Sequence, residues 1–370
     1  MQIDMGALAA HVLWLAFALA VAFGAIAQRT HFCTMGAIAD IVTLGDWTRM
    51  RMWVLAMAVA ILGFNAMVAL GWVEARHSLY AAPRLNWLSM IVGGALFGFG
   101  MVLGSGCGSK TLVRIGGGNL KSLVVFVVMG LAAFATLKGI TAVARVRWLD
   151  AVHATLPGGQ DLPSLLAGAT GLGAHAAALG LGALLAAALL AWVLARPEGR
   201  QHGVLAGGIG IGLVIVAVWW ASGVLGHVAE DPQTLEETFV ATNSHRMESL
   251  SFVAPVAYTL DWLMYFSDAS QRLTLGIVAV VGVALGSAAA ALAGGVFRWE
   301  GFRDAGDTAS HLAGGALMGV GGVTALGCTI GQGLSGISTL AVGSFLALAS
   351  IVGGAVGALR WQQWRIERSA

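Results

Sequence analysis

Long apolar runs separated by short polar segments make up most of this 370-residue sequence. A helix needs about 20 mostly apolar residues to cross a bilayer. Nine runs approach or exceed that length, at 7–27, 52–73, 87–105, 120–143, 164–194, 203–226, 273–297, 310–327 and 339–361. The pattern therefore predicts an all-α polytopic membrane protein, with about nine transmembrane helices in a single membrane domain over residues 1–370.

Two further apolar segments are too short to cross a bilayer. One lies at 29–46 and carries Cys33 in its middle, and the other lies at 251–267. Short apolar elements of this kind are typical of re-entrant or broken helices, which membranes tolerate where protein or a cavity surrounds them. Residues 31–37 align with 251–257 at a shift of 220 positions, which pairs Phe32 with Phe252.

A longer sequence repeat lies at nearly the same shift. The run G-G-A-L-F-G-F-G-M-V-L-G-S-G-C-G at 93–108 matches G-G-A-L-M-G-V-G-G-V-T-A-L-G-C-T at 314–329 when it is moved by 221 positions. The match includes the Ala-Leu pair and the terminal Gly-Cys, so Cys107 corresponds to Cys328. A Gly/Ser/Thr-rich stretch, where a helix is expected to break, follows each cysteine.

The order of the runs predicts how the two copies are arranged. Repeat 1 covers 7–143, a linking helix covers 164–194, and repeat 2 covers 203–361. Four crossings followed by one linking crossing place the second copy upside down, provided that the two short elements do not cross. Transporters with inverted repeats bind substrate near the midplane, between discontinuous helices.

The distribution of lysine and arginine predicts the orientation. Thirteen of these residues fall on one side: Arg29, Arg49, Arg51, Lys110, Arg114, Lys121, Arg196, Arg200, Arg298, Arg303, Arg360, Arg365 and Arg368. Six fall on the other side, together with the acidic loop 230–237: Arg76, Arg84, Arg145, Arg147, Arg246 and Arg272. We therefore expect a multi-pass protein of the bacterial inner membrane, with a periplasmic N-terminus and a cytoplasmic C-terminus. Membrane lipid surrounds such a protein, and Trp53, Trp72, Trp87, Trp361 and Trp364 are predicted to lie at its interfaces.

Composition excludes several other classes of protein. Hydrophobic residues make up 58% of the chain and charged residues 10%, which excludes an ordinary soluble domain. The net charge of +2 and the lack of a basic domain predict no nucleic-acid partner. Scattered histidines, no C-x-x-C and no nucleotide-binding motif predict no metal site, no cofactor and no use of ATP.

The three cysteines, Cys33, Cys107 and Cys328, are the candidate functional residues. A free cysteine is often only a small buried hydrophobic residue. All three nevertheless lie at predicted breaks, where irregular backbone lines a cavity or is buried in protein, and this favours a substrate pathway. The apolar runs contain almost no charged residues, unlike a proton relay or a cation pathway.

Broken helices and thiols together predict the kind of substrate. The N-terminus of a half-helix attracts an anion, and a neutral thiol is a weak donor that suits a soft anion. Thiosulfate, with its terminal sulfur, fits this chemistry. A thiolate in the pathway would instead repel it.

The residues beside the cysteines are weaker candidates. Gly106, Gly108 and Gly327 flank the thiols and permit the breaks. Lys110, with Arg114 and Lys121, could draw an anion to the inner mouth, although the positive-inside rule already accounts for such residues and is the preferred explanation. Thr329 and Gln332 could donate to the anion or only satisfy the broken backbone.

Three motifs carry a resemblance to a known family. They are R-T-H-F-C-T-M-G-A-I-A-D at 29–40, G-S-G-C-G-S-K-T-L-V-R-I-G-G-G-N-L-K-S-L-V at 104–124 and G-G-A-L-M-G-V-G-G-V-T-A-L-G-C-T-I-G-Q-G-L-S at 314–335. These motifs resemble the YeeE/YedE family, membrane proteins with a sulphur-transport domain. The resemblance implies uptake of thiosulfate across the bacterial inner membrane, with the family's pathway cysteines falling on Cys33, Cys107 and Cys328.

Other functions remain open at this point. Some members of the family are linked to selenium or to other sulphur species. A membrane sulfurtransferase that forms a cysteine persulfide would need an activated thiolate, and Lys110 near Cys107 is the one hint of that. A Cu(I) permease would call for Met and His clusters that the sequence lacks. No sulphur-carrier domain is attached, so a sulphur-carrier partner would be a separate cytoplasmic chain.

Overall fold

The computed structural model of the protein describes residues 4–231 and 234–369. Within these residues the fold is almost entirely helical. The α-helices are α1 Met5–Arg29, α2 Thr34–Leu44, α3 Thr48–Ala69, α4 Trp87–Leu103, α5 Gly108–Gly116, α6 Leu120–Lys138, α7 Ile140–Ala144, α8 Leu162–Thr170, α9 Ala174–Leu194, α10 His202–Trp220, α11 Val253–Met264, α12 Leu275–Ala293, α13 Ala305–Thr324 and α14 Val342–Ser369.

The connections contain only short regular elements. Two antiparallel pairs of two-residue strands lie in the loops, β1 Arg84–Leu85 with β2 Ala154–Thr155 and β3 His227–Val228 with β4 Thr238–Phe239. Single 3₁₀ turns occur at Ala75–His77 and Pro197–Arg200, and wider π-type turns at Arg145–Leu149, Ala221–Leu225 and Gly331–Gly336. Residues 232 and 233 of the predicted acidic loop lie outside the described residues.

Eight helical stretches in the described chain are long and apolar enough to cross a membrane. This confirms the predicted all-α polytopic membrane protein. The predicted run 310–327 corresponds to α13, which is 20 residues long but is not among the eight. Its first turns carry Asp307, Ser310 and His311, which make it less apolar than the others.

The predicted single span 164–194 is wrong in one respect. The structure divides it into α8 and α9, with Gly171 in the left-handed conformation between them (φ 75°). A left-handed residue ends a helix, and glycine adopts that conformation without strain. The apolar pattern runs through the break because its neighbours are alanine, leucine and glycine.

Capping side chains explain where several helices begin. The carboxylate of Asp4 accepts hydrogen bonds from the first turn of α1, and Asn119, Asp161 and Asp304 do the same for α6, α8 and α13. Such caps satisfy backbone N–H groups that a helix start leaves unpaired. Cys33 caps α2 through its sulfur, and Gly45 ends that helix with φ 68°.

The helices of the two predicted repeats pack in matching pairs. Helix α1 packs against α12 and α3 against α10, while α4 packs against both α13 and α14, and α13 also packs against α6. The counterparts of α1, α3, α4 and α6 in the second copy are α10, α12, α13 and α14. Replacing each helix by its counterpart leaves this set of contacts unchanged.

Close glycine contacts define how α4 and α13 meet. Gly93 lies against the backbone of Gly321, and Gly100 lies against that of Gly314. Because the contacts move backward along α13 as they move forward along α4, the two helices are antiparallel. Small residues let helix backbones approach in this way in membranes.

One predicted interfacial tryptophan is not at an interface. Trp53 is only 4% exposed, whereas Trp72, Trp87, Trp361 and Trp364 are each more than a third exposed. The Trp53 side chain lies in the core against Gly333. The prediction for Trp53 was wrong because α3 begins at Thr48, several residues before the start expected from the apolar run.

Candidate functional site

Each cysteine lies where a broken helical element begins. Cys33 is the residue before α2, Cys107 is the residue before α5, and Cys328 lies between the end of α13 and the turn Gly331–Gly336. Cys33 Sγ accepts the backbone N–H of Gly36 at 3.3 Å, and Cys328 Sγ accepts that of Gly331 at 3.4 Å.

Cys107 repeats this arrangement. Its Sγ interacts with the backbone N–H of Lys110, which is again three residues ahead. All three sulfur atoms therefore lie at the positive end of a short helical turn, where the first backbone N–H groups point toward them. The local sequence explains this geometry at Cys107 and Cys328, where glycine-rich segments let the chain reverse. Before Cys33 the turn is made by His31, which has a left-handed φ of 55°.

The three thiols form one cluster. Cys107 and Cys328 are completely buried and Cys33 is 7% exposed, and none forms a disulfide. The Cys33 and Cys107 thiols are close enough to interact as hydrogen-bond partners. Cys107 is also close enough to Cys328 for an electrostatic interaction. Residues from positions 33, 107 and 328 thus meet in one buried place.

Lys110 is a cation that lies close to two of the thiols. Its half-buried ammonium interacts electrostatically with both Cys33 and Cys107. Arg114 and Lys121, its predicted companions, have other partners: Arg114 donates to the Ser105 carbonyl at 2.8 Å, and Lys121 pairs with Asp307 at 2.8 Å. Of the three predicted inner-mouth cations, Lys110 alone faces the cluster.

A second cation lies behind Cys33. Arg49 of α3 forms a two-point ion pair with Asp40 of α2, and its guanidinium packs against Gly36. It is near enough to Cys33 to interact with its sulfur electrostatically. The ion pair joins α2 to α3 and holds this short helix in place.

Thr329 and Gln332 have different environments. The buried Thr329 hydroxyl faces the Cys107 thiol but makes no hydrogen bond of ordinary geometry. Gln332 Nε2 donates to the Ala325 carbonyl at the broken end of α13, at 2.5 Å. The Gln332 amide is thus used to satisfy backbone, although its Oε1 is buried without a partner.

Two of the three candidate glycines occupy tight positions beside the cysteines. A Cβ at Gly106 would lie 3.3 Å from the Lys110 side chain, and one at Gly327 would lie 3.1 Å from the Gln332 nitrogen. Gly108 is less restricted, because its nearest neighbour, the Phe252 Cβ, would be 3.5 Å away. The Gly108 contact brings the start of α5 next to the start of α11.

Sequence reasoning missed several residues around the thiols. Ser109 Oγ lies 3.3 Å from Cys107 Sγ. The buried Tyr80 hydroxyl interacts with Ser251 and is electrostatically coupled to Cys328. The backbone N–H of Phe252 also points toward Cys328. The alignment of 31–37 with 251–257 was the available signal for Phe252, but nothing in the sequence pointed to Tyr80, which comes from a loop.

This arrangement has a definite chemical character. Weak S–H and O–H donors and the positive ends of four short helical elements surround the site, and Lys110 is at its edge. Such a site can hold a dehydrated anion without a full counter-charge. Among the described residues, no group of three or more His, Cys, Asp or Glu side chains is placed to hold a metal ion.

Comparison with known proteins agrees with this chemistry. The chain is 27% identical to a protein named thiosulfate transporter TsuA from Spirochaeta thermophila, over 91% of this chain and 94% of that protein. It is also 27% identical to the Escherichia coli protein of the same name, over 84% of this chain and 83% of the relative. A Salmonella typhimurium protein named probable transporter YedE is 32% identical over a shorter stretch, 28% of this chain and 24% of its own.

The family described as sulphur transport matches residues 29–357, which include all three cysteines and both glycine-rich breaks. This match covers most of the sequence, and the relatives that align with it bear the names of transporters rather than enzymes. The chain therefore belongs to the sulphur transport family, the YeeE/YedE proteins that its motifs resemble.

Proposed function

We propose that this protein takes up thiosulfate across the bacterial inner membrane through the cluster of Cys33, Cys107 and Cys328. The observation that carries the proposal is the meeting of three thiols at the starts of three broken helical elements. The relatives named thiosulfate transporters, which match along most of the chain, support the choice of ion.

The hydrogen bonds of the thiols suggest how the ion is held. Each sulfur accepts a backbone N–H from the residue three positions ahead. The Cys33 and Cys107 thiols also contact each other, and the incoming ion replaces this weak contact by accepting from the S–H groups. A thiol is a weak donor, so each contact with the terminal sulfur of thiosulfate is weak. Several weak sites in a row allow an ion both to enter and to leave.

The architecture that supports this pathway is an inverted repeat, with 7–143 as repeat 1, 164–194 as the linking segment and 203–361 as repeat 2. The antiparallel packing of the equivalent helices α4 and α13 supports the inversion. The distribution of lysine and arginine supports a periplasmic N-terminus and a cytoplasmic C-terminus. The ion then passes from the outer side through the cysteine cluster, and a separate cytoplasmic sulphur carrier could receive it.

Lys110 favours one alternative function. A cation beside Cys107 can stabilise a thiolate, and a thiolate that attacks the terminal sulfur of thiosulfate forms a persulfide and releases sulfite. Mass spectrometry of the protein after exposure to thiosulfate distinguishes the two functions. One added sulfur on Cys107 indicates sulfurtransfer, whereas permeation leaves all three cysteines unmodified. A permease for another sulphur or selenium anion would use the same site and is distinguished by competition in uptake.

The decisive test is growth on thiosulfate. A bacterium that lacks its own sulphur-uptake systems is supplied with the wild-type protein or with Cys→Ala and Cys→Ser variants at positions 33, 107 and 328. We expect growth with wild type, loss of growth with each alanine variant and partial growth with serine, which keeps a donor. Membrane abundance of each variant is the control. Failure of wild type would exclude thiosulfate, and normal growth of all three alanine variants would exclude the thiol pathway.

A further inference from the structure

A cavity with a mainly apolar lining and a few polar side chains lies next to the cysteine cluster. It has a volume of about 130 Å³, room for several water-sized groups. Its lining includes Arg145, Asn243 and Tyr258 and extends to Gly327, which directly precedes Cys328. By the orientation proposed above, this cavity opens on the outer side.

Charge in the cavity comes from two lining residues, Arg145 and Glu248. The Arg145 side chain is mostly buried and lies 3.1 Å from Asp150 through Nε, but this nitrogen makes no hydrogen bond of ordinary geometry. Asp150 is itself engaged with the Ser89 hydroxyl at 2.6 Å. Nε is thus turned toward Asp150, and it is the terminal N–H groups of the planar guanidinium that suit the oxygens of an anion.

Neutral donors lie beside the arginine. The Tyr258 hydroxyl interacts with Asn243 and is electrostatically coupled to Arg145. Glu248 is turned toward Ser244, whose backbone N–H and hydroxyl both donate to its carboxylate. These two hydrogen bonds engage the Glu248 carboxylate and reduce its repulsion of an anion in the same cavity.

Tyr80 lines this cavity and also interacts with Cys328, so it connects the cavity with the thiols. Tyr80 is 2% exposed, and its hydroxyl interacts with Ser251 and lies against Gly331, the residue that donates to Cys328. An ion in the outer cavity therefore contacts hard N–H and O–H donors first. None of the three cysteines lines the cavity, so the soft S–H donors lie outside it.

We propose that the cavity around Arg145 is a separate oxyanion-binding site, which captures a small dianion before the ion reaches the cysteines. This inference rests on the proposed uptake function and assigns the recognition of the oxygens and of the terminal sulfur to two different sites. The Arg145 site recognises charge and sulfonate-like oxygens, so it binds sulfate as well as thiosulfate. The thiols beyond Tyr80 recognise the terminal sulfur, so only thiosulfate continues.

The test separates this site from the thiols. A variant with all three cysteines changed to alanine is purified in detergent, and binding of ³⁵S-thiosulfate is measured by equilibrium dialysis at low ionic strength. We expect saturable binding that unlabelled sulfate displaces. Adding Arg145→Gln should weaken this binding at least tenfold. Arg147→Gln is the matched control, since Arg147 is an exposed arginine two residues away that does not line the cavity, and it should change binding less than twofold.

Two further variants keep the test decisive if Arg145→Gln is unstable. Arg145→Lys retains the charge and should retain part of the binding, and Tyr258→Phe removes one donor and should weaken binding at least threefold. The site is excluded if the cysteine-free protein does not bind thiosulfate, or if Arg145→Gln or Tyr258→Phe binds as tightly as the Arg147→Gln control. Uptake by wild-type protein in vesicles tests the function independently: binding without uptake would exclude the proposed transport but leave the site in place.

Discussion

Ser105 and Leu326 share the same unusual backbone conformation, with φ of 56° and 57°, and each lies two residues before a site cysteine. They are also 221 positions apart, the shift of the sequence repeat. A left-handed φ is costly for a residue with a side chain, so its occurrence at both positions indicates that the same sharp turn is required twice. The turn ends the long helix and places the following cysteine at the start of the next element.

This turn predicts a contrast between two substitutions. Ser105→Val, like Leu326→Val, should destabilise the protein by about 1–2 kcal/mol or more, because a β-branched side chain tolerates a left-handed φ poorly. Ser105→Gly should leave stability unchanged or higher, because glycine adopts this conformation without strain. The measurement is thermal unfolding in detergent, followed by intrinsic fluorescence. Equal melting temperatures for Ser105→Val and Ser105→Gly would show that the turn is not a constraint.

The contact of α4 with α14 predicts a second contrast, between glycines. A Cβ at Gly98 would overlap the Ile351 carbonyl oxygen, whereas one at Gly353 would meet nothing within 4 Å. Gly98→Ala should therefore force the helices apart and cost about 1–3 kcal/mol. Gly353→Ala is the matched control and should be neutral or slightly stabilising, since alanine favours helix. Purified yield and melting temperature check both variants, and a normal melting temperature for Gly98→Ala would contradict the close packing.

The sequence singled out the three cysteines because two of them belong to its internal repeat. Cys107 and Cys328 were recognisable at a fixed spacing, and Cys33 lay in an apolar segment too short to cross. Tyr80 and Arg145 could not be predicted, since they come from connections outside the repeated runs. Their positions depend on how the loops fold over the membrane domain. The pattern of apolar runs and the sequence repeat do not predict the conformation of these loops.

Thr329 offers a test of substrate contact that does not depend on the thiols. Its hydroxyl is buried beside Cys107 without a hydrogen bond, so Thr329→Val loses no internal hydrogen bond and should leave the melting temperature unchanged or raised. Uptake should nevertheless fall severalfold if the hydroxyl donates to the ion, and Thr329→Ser should keep most of the uptake. ³⁵S-thiosulfate uptake in vesicles provides the measurement.

Thr136 is the control for that experiment. Its hydroxyl is buried in α6, away from the site, and donates to the Ala132 carbonyl at 2.7 Å. Thr136→Val should therefore lose stability, by roughly 1 kcal/mol, and keep the uptake rate per folded molecule. Full uptake by Thr329→Val would mean that the Thr329 hydroxyl does not contact the ion.

Glu248 makes the outer cavity sensitive to pH. Desolvation raises the pKa of this carboxyl, while its hydrogen bonds with Ser244 and a nearby His245 oppose the shift. Arg145 and Tyr258 face the same cavity. Because the folded-state pKa exceeds the ordinary value, the ionised Glu248 carboxylate destabilises the folded protein. The stability is therefore fully present at low pH, where the carboxyl is neutral, and is lost as pH rises through the folded-state pKa. Glu248→Gln should thus be more stable than wild type at neutral pH, and the difference should shrink toward pH 4.

The same ionisation should govern anion binding in the outer cavity. Below the raised pKa, the neutral Glu248 carboxyl shares the cavity with a dianion; above it, a carboxylate repels the dianion in a confined space. Thiosulfate binding by the cysteine-free protein should therefore weaken as pH rises through this pKa, and by linkage, binding should draw a proton onto Glu248. The Glu248→Gln variant should lack this pH dependence of thiosulfate binding. Glu237→Gln is the control, because Glu237 lies in the outer loop away from the cavity lining, and it should keep the wild-type dependence of binding on pH. Dialysis across pH 5 to 8 provides the measurement, and an unchanged profile in Glu248→Gln would assign the pH dependence to another group.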